Sequence, residues 1–428
     1  MNKGVFIVLD IGTSNIKCAC VNSDRVVLVA NQREFPMKQN KHRFEVDFEV
    51  FLNIAKELIG QCIADNAIQN TTIEALLITS QANTFAPVDA TFSPLTKGIV
   101  WLDERAEKEA EYLSKKFSKY SETAGFISPL SSLYVSKLLW LKRNTPKVFK
   151  NARFFPLINE FLVYKLTNQF YADTTSFGMS GMYDFQKNEI NKELLQILNL
   201  TNENFPLIEN AAKKSALISK EVMQEWKMTK RFPVLLCGND QSASASGAGL
   251  KKVGDLNINF GSAMVLFSIT KNLVNDLGVS QIAGKYPIGD KYFLLSYESD
   301  FGLKIRSLKE QFFKNGSYDQ LFQTYLDYPK TEIISTNLPI DNLIFENVKD
   351  GYSYSASIIS YYIHQLKKHI ETISKQVKIN TVFLSGGMTN SAVWIEIIKK
   401  ELKQTIVIDN QANAGLLGAI NIYSLNKK

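Results

Sequence analysis

The sequence predicts an α/β fold made of two related halves. Short apolar runs rich in β-branched residues alternate with segments of helical periodicity over much of the 428 residues. A strand, a glycine corner and a second strand follow one another around Leu9–Ser14, and the same pattern returns around 258–263. A further apolar run, Val234–Cys237, ends at a glycine and leads into a series of small residues that can begin a tightly packed helix. At this length two to three domains are expected.

Composition excludes several classes of protein. A hydrophobic content of 45% with 21% charged residues is that of a globular protein. No apolar run reaches the length of a membrane span, and the N-terminus lacks a signal-peptide pattern, so we expect a cytoplasmic protein that does not bind membranes. The net charge of +7 comes from lysines spread over many segments. A spread of this kind suits small anionic ligands and argues against nucleic-acid binding, which needs a concentrated basic stripe.

Cysteine and histidine offer little for metal or hydrolytic chemistry. The four cysteines have no metal-ligand spacing and are expected to be buried, reduced thiols. The three histidines, His42, His364 and His369, do not share a helix face.

The N-terminal hairpin has the features of a phosphate-binding corner. Val5–Asp10 and Ile16–Val21 are predicted strands joined by a turn. Gly12 removes the Cβ that would obstruct a ligand, so backbone amides and the hydroxyls of Thr13 and Ser14 can face a phosphate that Lys17 can also reach. Asp10, at the strand end, could hold Mg²⁺ through water. An ordinary hairpin is the alternative.

Two later segments have the features of a polyol site. The periodicity predicts a helix over Asp47–Asp65 and a buried strand over Ile73–Ile78, followed by a polar stretch. A predicted strand, Gly98–Trp101, leads directly to Asp103 and Arg105. A carboxylate, an arginine and an aromatic ring together can bind sugar hydroxyls and the apolar face of a ring. Alternatively, Asp103 caps a helix over Glu104–Lys116.

Asp240 is the candidate general base. It follows the strand Val234–Cys237 at a strand-to-helix turn, where open α/β sheets place their ligands. The alternative is that Asp240 is an ordinary helix N-cap.

The second half repeats the first motif and adds a glycine turn. Aligned with the first corner, Asn259 corresponds to Asp10 and Gly261 to Gly12. A long helix is predicted over Ser357–Lys378, and a strand, Thr381–Leu384, precedes a Gly-Gly turn. Such a turn lets a flat adenine lie against backbone, although a plain strand-to-helix loop has the same sequence features.

Five motifs in order resemble those of the FGGY family of carbohydrate kinases, over nearly the whole chain. They are Asp10–Lys17, Trp101–Arg105, Gly238–Gln241, Asn259–Ser262 and Leu384–Gly387. The resemblance implies an α/β fold of two actin-like (ribonuclease H-like) domains, 1–242 and 243–428, with a nucleotide cleft between them. The chain departs from the family at Ala263 and Met388, and it lacks the Gly-Glu-Arg-x-Pro stretch of many members.

The resemblance also implies ATP and Mg²⁺ as cofactors and a role for each motif residue. Asp240 is the base, active as an ordinary ionised carboxylate, and Asp10 is the magnesium ligand. The residues implied to bind ATP are Gly12, Thr13, Ser14, Lys17, Gly261, Ser262, Gly386, Gly387 and Asn390. The residues implied to bind the substrate are Gln81, Asn83, Trp101, Asp103, Arg105, Asn239 and Gln241.

The expected activity is phosphorylation of a hydroxyl on a sugar, sugar acid or polyol. Ala82 and Asn83 stand where glycerol kinases carry an Arg-Glu pair, and Asn83 replaces the histidine of xylulose kinases. Ser93–Thr96 is similar to gluconate kinases, so a ketopentose or a sugar acid is expected. The alternatives are a weak or inactive sugar-binding relative and an actin-like ATPase without a sugar substrate. A homodimer is compatible with these observations.

Overall fold

The computed structural model describes residues 4–69, 71–117, 120–328, 350–408 and 413–427. The chain forms two compact units. Unit 1 consists of 1–247, 271–293 and 413–428, and unit 2 consists of 248–270 and 294–412.

Strands and helices alternate through the first part of the chain. They are β1 (Val5–Ile11), β2 (Asn15–Asn22), β3 (Val27–Glu34), β4 (Met37–Asn40), β5 (Arg43–Val46), α1 (Phe48–Ala64), β6 (Ile73–Ser80), β7 (Gly98–Ile99), α2 (Glu107–Lys116), α3 (Tyr120–Ala124), α4 (Tyr134–Asn144), α5 (Pro146–Asn151), α6 (Ile158–Thr167), β8 (Tyr171–Asp173), α7 (Thr174–Gly178), β9 (Tyr183–Asp184), β10 (Glu189–Ile190), α8 (Lys192–Leu198), β11 (Leu207–Glu209), β12 (Ser215–Leu217), α9 (Lys220–Glu225), β13 (Pro233–Asn239) and α10 (Asp240–Gly247).

The alternation continues to the C-terminus. The remaining elements are β14 (Asp255–Phe260), β15 (Met264–Thr270), β16 (Gln281–Lys285), β17 (Tyr292–Glu298), α11 (Phe301–Phe312), α12 (Tyr318–Asp327), α13 (Gly351–Gln376), β18 (Thr381–Ser385), α14 (Ala392–Glu401), β19 (Thr405–Ile408) and α15 (Ala414–Asn426).

The two sheets share one pairing scheme, which supports the predicted internal repeat. In unit 1 the order is β12-β13-β6-β1-β2-β3, with β13, β6 and β1 parallel and the β1–β2 hairpin antiparallel. In unit 2 the strands β17-β15-β14-β18-β19 have β19, β18 and β14 parallel and the β14–β15 hairpin antiparallel. In each unit the glycine corner therefore joins the two strands of this antiparallel hairpin. Near-continuous apolar burial of β1 and β6 is typical of strands covered on both faces.

The helical periodicity of the sequence predicted the position of α1 to within one residue at each end. The predicted segment Asp47–Asp65 becomes Phe48–Ala64, and the carboxylate of Asp47 caps it by accepting the amides of Glu49 and Val50. The apolar stripe that includes Phe51, Leu58 and Ile59 is buried in the core of unit 1.

The segment around Trp101 differs from the sequence prediction. The strand ends at Ile99, and the next helix starts at Glu107 instead of Glu104. Asp103 is not its cap, because its carboxylate accepts the side chain of Arg105 and the backbone amide of Phe44. The chain turns here instead, and the amide of Asp103 donates to the carbonyl of Val100 at 3.0 Å.

Unit 1 includes the C-terminal helix, whereas the sequence expectation placed all of 243–428 in the second domain. Helix α15 packs against α10 through small residues. A Cβ on Gly247 would lie 1.8 Å from the carbonyl oxygen of Ala414, and one on Gly418 would lie 1.8 Å from that of Ala243. This backbone approach is open only to glycine, and no periodicity argument reveals it.

No helix in the described residues combines the length and the apolar character that a membrane crossing requires.

The α10–α15 approach can be tested with paired glycine substitutions. Gly418→Ala should lower the free energy of unfolding by about 2 kcal/mol or more, since backbone must move to admit the methyl group. Gly60→Ala, also within a helix but with its nearest contact at 3.4 Å, should change it by less than about 1 kcal/mol. Urea unfolding measures both, and equal stabilities for the two variants would contradict the packing described.

Candidate functional site

Three parallel strands of unit 1 end at the same edge of the sheet. Asp10 at the end of β1 lies beside Thr79 of β6, and Asn239 at the end of β13 lies beside Ser80. Asp240 follows directly as the first residue of α10. The carboxyl ends of parallel strands are where open α/β sheets bind ligands. The sheet thus gathers residues that are far apart in sequence.

Asn239, and not Asp240, caps helix α10. The side-chain oxygen of Asn239 accepts the amide of Ser242 at 2.8 Å, which is the N-cap hydrogen bond. Asp240 Oδ1 accepts the amide of the next residue, Gln241, at 2.8 Å. Gly238 has a positive φ of 85°, a conformation that favours glycine, at the bulge where β13 turns into the helix. The capping requirement is therefore met without Asp240, whose carboxylate stays half-buried at the site.

The pKa values of Asp10 and Asp240 are both raised above the ordinary value of an aspartate. Burial, opposed by the charge of Lys17, raises the pKa of Asp10 to about 6. Burial and then the charge of Asp10 raise the pKa of Asp240 to about 7. The sequence expectation of an ordinary ionised carboxylate at 240 thus differs from the structure, because the sequence shows neither the burial of this group nor the second carboxylate nearby.

The pair has the chemistry of a magnesium site. Asp10 Oδ1 is buried and has no hydrogen-bond partner within the described part of the chain. Gly415 of α15 leaves space beside it, since a Cβ there would lie 2.8 Å from Asp10 Oδ2. The described residues contain no cluster of three or more potential ligands. Mg²⁺ commonly takes one or two carboxylates and completes its shell with water and phosphates, so these residues fit the ion.

The N-terminal hairpin places its polar residues next to Asp10. The tight turn closes with a hydrogen bond from the Gly12 amide to the Asn15 carbonyl at 2.9 Å. Lys17 is the cross-strand partner of Asp10. Thr13 is half-buried and Ser14 is exposed, so both hydroxyls can be reached by a ligand.

A hydrogen-bond network joins this hairpin to the predicted substrate residues. Trp101 Nε1 donates to the Thr13 hydroxyl at 2.9 Å, and Gln81 Nε2 donates to the Gly12 carbonyl at 3.3 Å. Thr84 links the two, because its hydroxyl accepts the Trp101 amide and donates to Gln81 Oε1. The indole of Trp101 is 38% exposed, which leaves its ring available to a ligand.

Asp103 and Arg105 form a closed pair. Asp103 is fully buried, and both its oxygens accept Arg105, at 2.7 Å from Nε and 2.7 Å from Nη2. Arg105 Nη2 also lies 2.8 Å from Glu45, and the guanidinium lies 5.0 Å from the ring centre of Trp140. Desolvation lowers and these carboxylates raise the pKa of Arg105, with a net rise. The structure therefore places Trp101 against the N-terminal hairpin. The charge of Arg105, in contrast, is already neutralised by Asp103 and Glu45.

Asn83 is also engaged within the protein. It has a positive φ of 60°. Its side-chain oxygen accepts the Tyr134 amide at the start of α4, and its amide donates to the Met179 carbonyl at 2.8 Å. Gln241, in contrast, is exposed at the second position of α10.

Unit 2 contains a pocket of about 540 Å³ around its own glycine motifs. Its lining includes Phe260, Gly261, Ser262, Gly302, Arg306, Tyr318, Asp319, Gly387, Met388 and Asn390. Gly387 faces open space, since a Cβ there would meet nothing within 4 Å. This volume lies within the range of small-molecule sites.

Backbone contacts shape this pocket. Gly386 has a φ of 94°, and a Cβ on it would lie 2.5 Å from the side chain of Asn259. Gly302 of α11 comes so close to the second hairpin that a Cβ would lie 2.1 Å from the Gly261 carbonyl. Sequence reasoning singled out Gly261, Ser262, Gly386, Gly387 and Asn390, and all of them lie at this pocket or its glycine turn.

Several residues of the two sites escaped sequence reasoning. In unit 1 these are Thr84, Lys137 and Gly415, and in unit 2 Arg306 and Asp319. Asp319 accepts the Ser391 hydroxyl and the Val393 amide, which ties α12 to the start of α14. Only Gly415, within a run of small residues, had a sequence signal, since the others lie in ordinary helical or polar segments.

Comparison with known proteins identifies a family. The family model for the FGGY family of carbohydrate kinases, N-terminal domain, matches residues 5–247, more than half of the chain. The probable L-xylulose kinase of Haemophilus influenzae is 21% identical over 97% of this chain and 89% of its own length.

Solved structures show the same fold at low sequence identity. The xylulose kinase from Rhodospirillum rubrum matches with a TM-score of 0.91 at 16% identity, covering 99% of this chain and 90% of that one. The gluconate kinase from Lactobacillus acidophilus matches with a TM-score of 0.89 at 18% identity, covering 100% and 90%. The prediction of an α/β fold with two actin-like domains is thereby confirmed.

The paired carboxylates should make the apo protein less stable as pH rises. Each acid has a folded-state pKa above the ordinary value of 3.8, so the unfolded chain releases its proton first and stability falls between about pH 4 and 7. Asp10→Asn and Asp240→Asn should therefore raise the melting temperature at pH 8 without magnesium. The gain should shrink as the pH is lowered to 5.

Calorimetry across this pH range measures the effect, with the exposed Asp276→Asn as the control. A gain at pH 8 that is the same at pH 5, or no gain in either variant, would contradict the described electrostatics.

Proposed function

The chain belongs to the FGGY family of carbohydrate kinases, and from this premise we propose that it phosphorylates a ketopentose with Asp240 as the general base. Its activity class is ATP-dependent transfer of a phosphoryl group to an alcohol of a sugar or polyol. One observation carries the proposed role of Asp240. Its carboxylate lies at the strand ends beside Asp10 while Asn239 performs the capping.

Asp240 accepts the proton of the attacking hydroxyl in this proposal. As the substrate oxygen bonds to the γ-phosphorus of ATP, the bond to the bridging oxygen breaks and ADP leaves. The hydroxyl proton passes to the carboxylate of Asp240, which must be ionised at that moment. A pKa of about 7 is near the working range of a general base.

Asp10 is the proposed magnesium ligand, through its partnerless Oδ1. The ion supplies charge neutralisation for the phosphates. Thr13, Ser14 and Lys17 are the proposed phosphate contacts of unit 1. The pocket of unit 2 that contains Gly261, Ser262, Gly386, Gly387 and Asn390 at its turns is the proposed adenosine site.

A neutral polyhydroxy substrate fits the proposed substrate residues better than a sugar acid. Arg105 is their only cation, and its guanidinium is already paired with Asp103 and Glu45. A substrate carboxylate would therefore lack an available counter-charge. Trp101 offers an exposed ring, and Gln241 offers an exposed amide for hydroxyl groups. The names of the relatives, xylulose kinases among them, point to the same substrate class.

The roles of Asn83, Asp103 and Asn239 as substrate ligands remain predictions. We propose that the protein acts in the cytoplasm, where ATP is available and the four buried free cysteines stay reduced.

Replacing the proposed base should abolish turnover with little effect on sugar binding. Asp240→Asn should lower kcat by about 10³-fold or more while the Kd of the sugar changes less than about threefold, since an amide cannot accept the proton. In the wild type, kcat/KM should fall as the pH drops below about 7. Coupled ADP release and calorimetric titration measure these quantities. An Asp240→Asn variant with wild-type turnover would remove Asp240 from the role of base.

A substrate panel tests the neutral-ketopentose proposal. ADP release should be fastest with ketopentoses and at least about tenfold slower with aldonic acids and glycerol. An aldonic acid would place an unpaired charge in the site, and glycerol would lose contacts that the longer ketopentose makes. Faster turnover of an aldonic acid would contradict the proposed substrate class. ATP hydrolysis that ignores every sugar would contradict the kinase reaction itself.

A further inference from the structure

Lys137 is a fully buried lysine within unit 1 that the proposed reaction does not use. It lies on the first turns of α4 with no exposed surface. Lysine is almost never fully buried unless its amine is paired. Its Nζ donates to two backbone carbonyls, those of Asn83 and Val100, each at 2.9 Å. In the described chain no carboxylate forms a salt bridge with it.

The two carbonyls belong to the two segments that carry the proposed substrate residues. Asn83 follows Gln81 by two residues, and Val100 immediately precedes Trp101. Phe85 and Ile99 still pair directly, with backbone hydrogen bonds of 3.2 and 2.8 Å. Beyond this pair the direct pairing stops, and the hydroxyl of Thr84 accepts the amide of Trp101, two residues after Ile99. Side chains therefore replace the backbone ladder where the segments separate.

From this placement we propose that Lys137 is a positioning residue that holds the Gln81–Thr84 segment and the Val100–Trp101 segment in the spacing needed to bind the sugar. The proposal rests on the proposed function, in which Gln81 and Trp101 contact a ketopentose. Lys137 itself does not contact the substrate. Its amine acts on backbone alone, so the spacing it sets does not depend on the side chains at 83 and 100.

The chemistry of the amine suits this role. A neutral amine has two N–H groups, which match the two carbonyls, and the protonated form has a third. Burial lowers the pKa of Lys137 to about 7, against the opposing charge of Asp103 and with that of Arg105. Both forms can make both hydrogen bonds, so the link persists on either side of neutral pH.

Lys142 on the same helix provides a matched control. Its Nζ also donates to a backbone carbonyl, that of Ile197, at 2.7 Å. Ile197 lies on α8, outside both substrate segments. Removing each amine with methionine keeps an unbranched chain of similar length while deleting the donor. Lys142 is half-buried and serves one carbonyl instead of two, so its variant controls for the loss of an amine–carbonyl link on α4 outside the substrate segments.

The test compares Lys137→Met and Lys142→Met in the full-length protein. Lys137→Met should raise the KM for the ketopentose by about tenfold or more and leave the KM for ATP within about twofold, because the sugar-binding segments shift. Lys142→Met should leave both values within about twofold. Circular dichroism and melting curves establish that both variants are folded.

Hydrogen exchange followed by mass spectrometry supplies a readout that needs no substrate. In Lys137→Met, peptides that include Thr84 and Trp101 should exchange at least about tenfold faster, while peptides of unit 2 should not change. If Lys137→Met does not fold, Lys137→Ala is measured with added n-propylamine, which should restore slow exchange in those peptides, with n-propanol as the comparison.

Unchanged exchange at these peptides would overturn the proposal, and so would faster exchange with an unchanged sugar KM. An equal rise in sugar KM for Lys142→Met would also overturn it, since the effect would then be general loosening of α4. If the wild type phosphorylates no ketopentose, the proposed function fails, whereas the exchange experiment still decides whether Lys137 orders the two segments.

Discussion

Parallel pairing of β1, β6 and β13 is the constraint on which the site of unit 1 depends. The register places Asp10 opposite Thr79 and Asn239 opposite Ser80, so three strand ends reach the same edge together. The bulge at Gly238 then turns the chain into α10. A one-residue slip in this register would move each end residue to the opposite face of the sheet. The proposed base Asp240, the proposed magnesium ligand Asp10 and the start of the polar segment at Ser80 therefore share one structural cause.

This arrangement is costly for the fold. Two carboxylates near one another, one with a buried oxygen that lacks a partner, are each less stable when ionised than they would be in water. The absence of a side chain at Gly415 also leaves space beside the carboxylate of Asp10. A buried oxygen without a partner suits a cation-binding role, because a bound cation would supply the missing interaction. Raised pKa values of buried carboxylates, as seen here, are typical of functional sites.

Much of the polar chemistry around the substrate segments supports the framework. Asp103 and Arg105 neutralise each other, Asn83 joins α4 to the end of α7, and Asn239 caps α10. Trp101 and Gln241 retain exposed groups, whereas the side-chain amide of Gln81 is buried and bonded to Gly12 and Thr84. Within one motif, some polar residues can therefore stabilise the backbone while others remain available to a ligand. Only the hydrogen-bond partners distinguish these roles, because Asp and Asn serve both equally well in sequence.

The sequence by itself determined the α/β class, the repeated glycine corners, the position of α1 and the motif residues that lie at both sites. Periodicity and glycine placement are local properties, and the positive φ angles of Gly238 and Gly386 belong to the turns in which these residues stand. Only the tertiary structure decided that Asp10 raises the pKa of Asp240, that α15 belongs to unit 1 and that Lys137 joins two distant segments. Each of these depends on atoms brought together across many residues of chain, and local pattern contains no information about such distances.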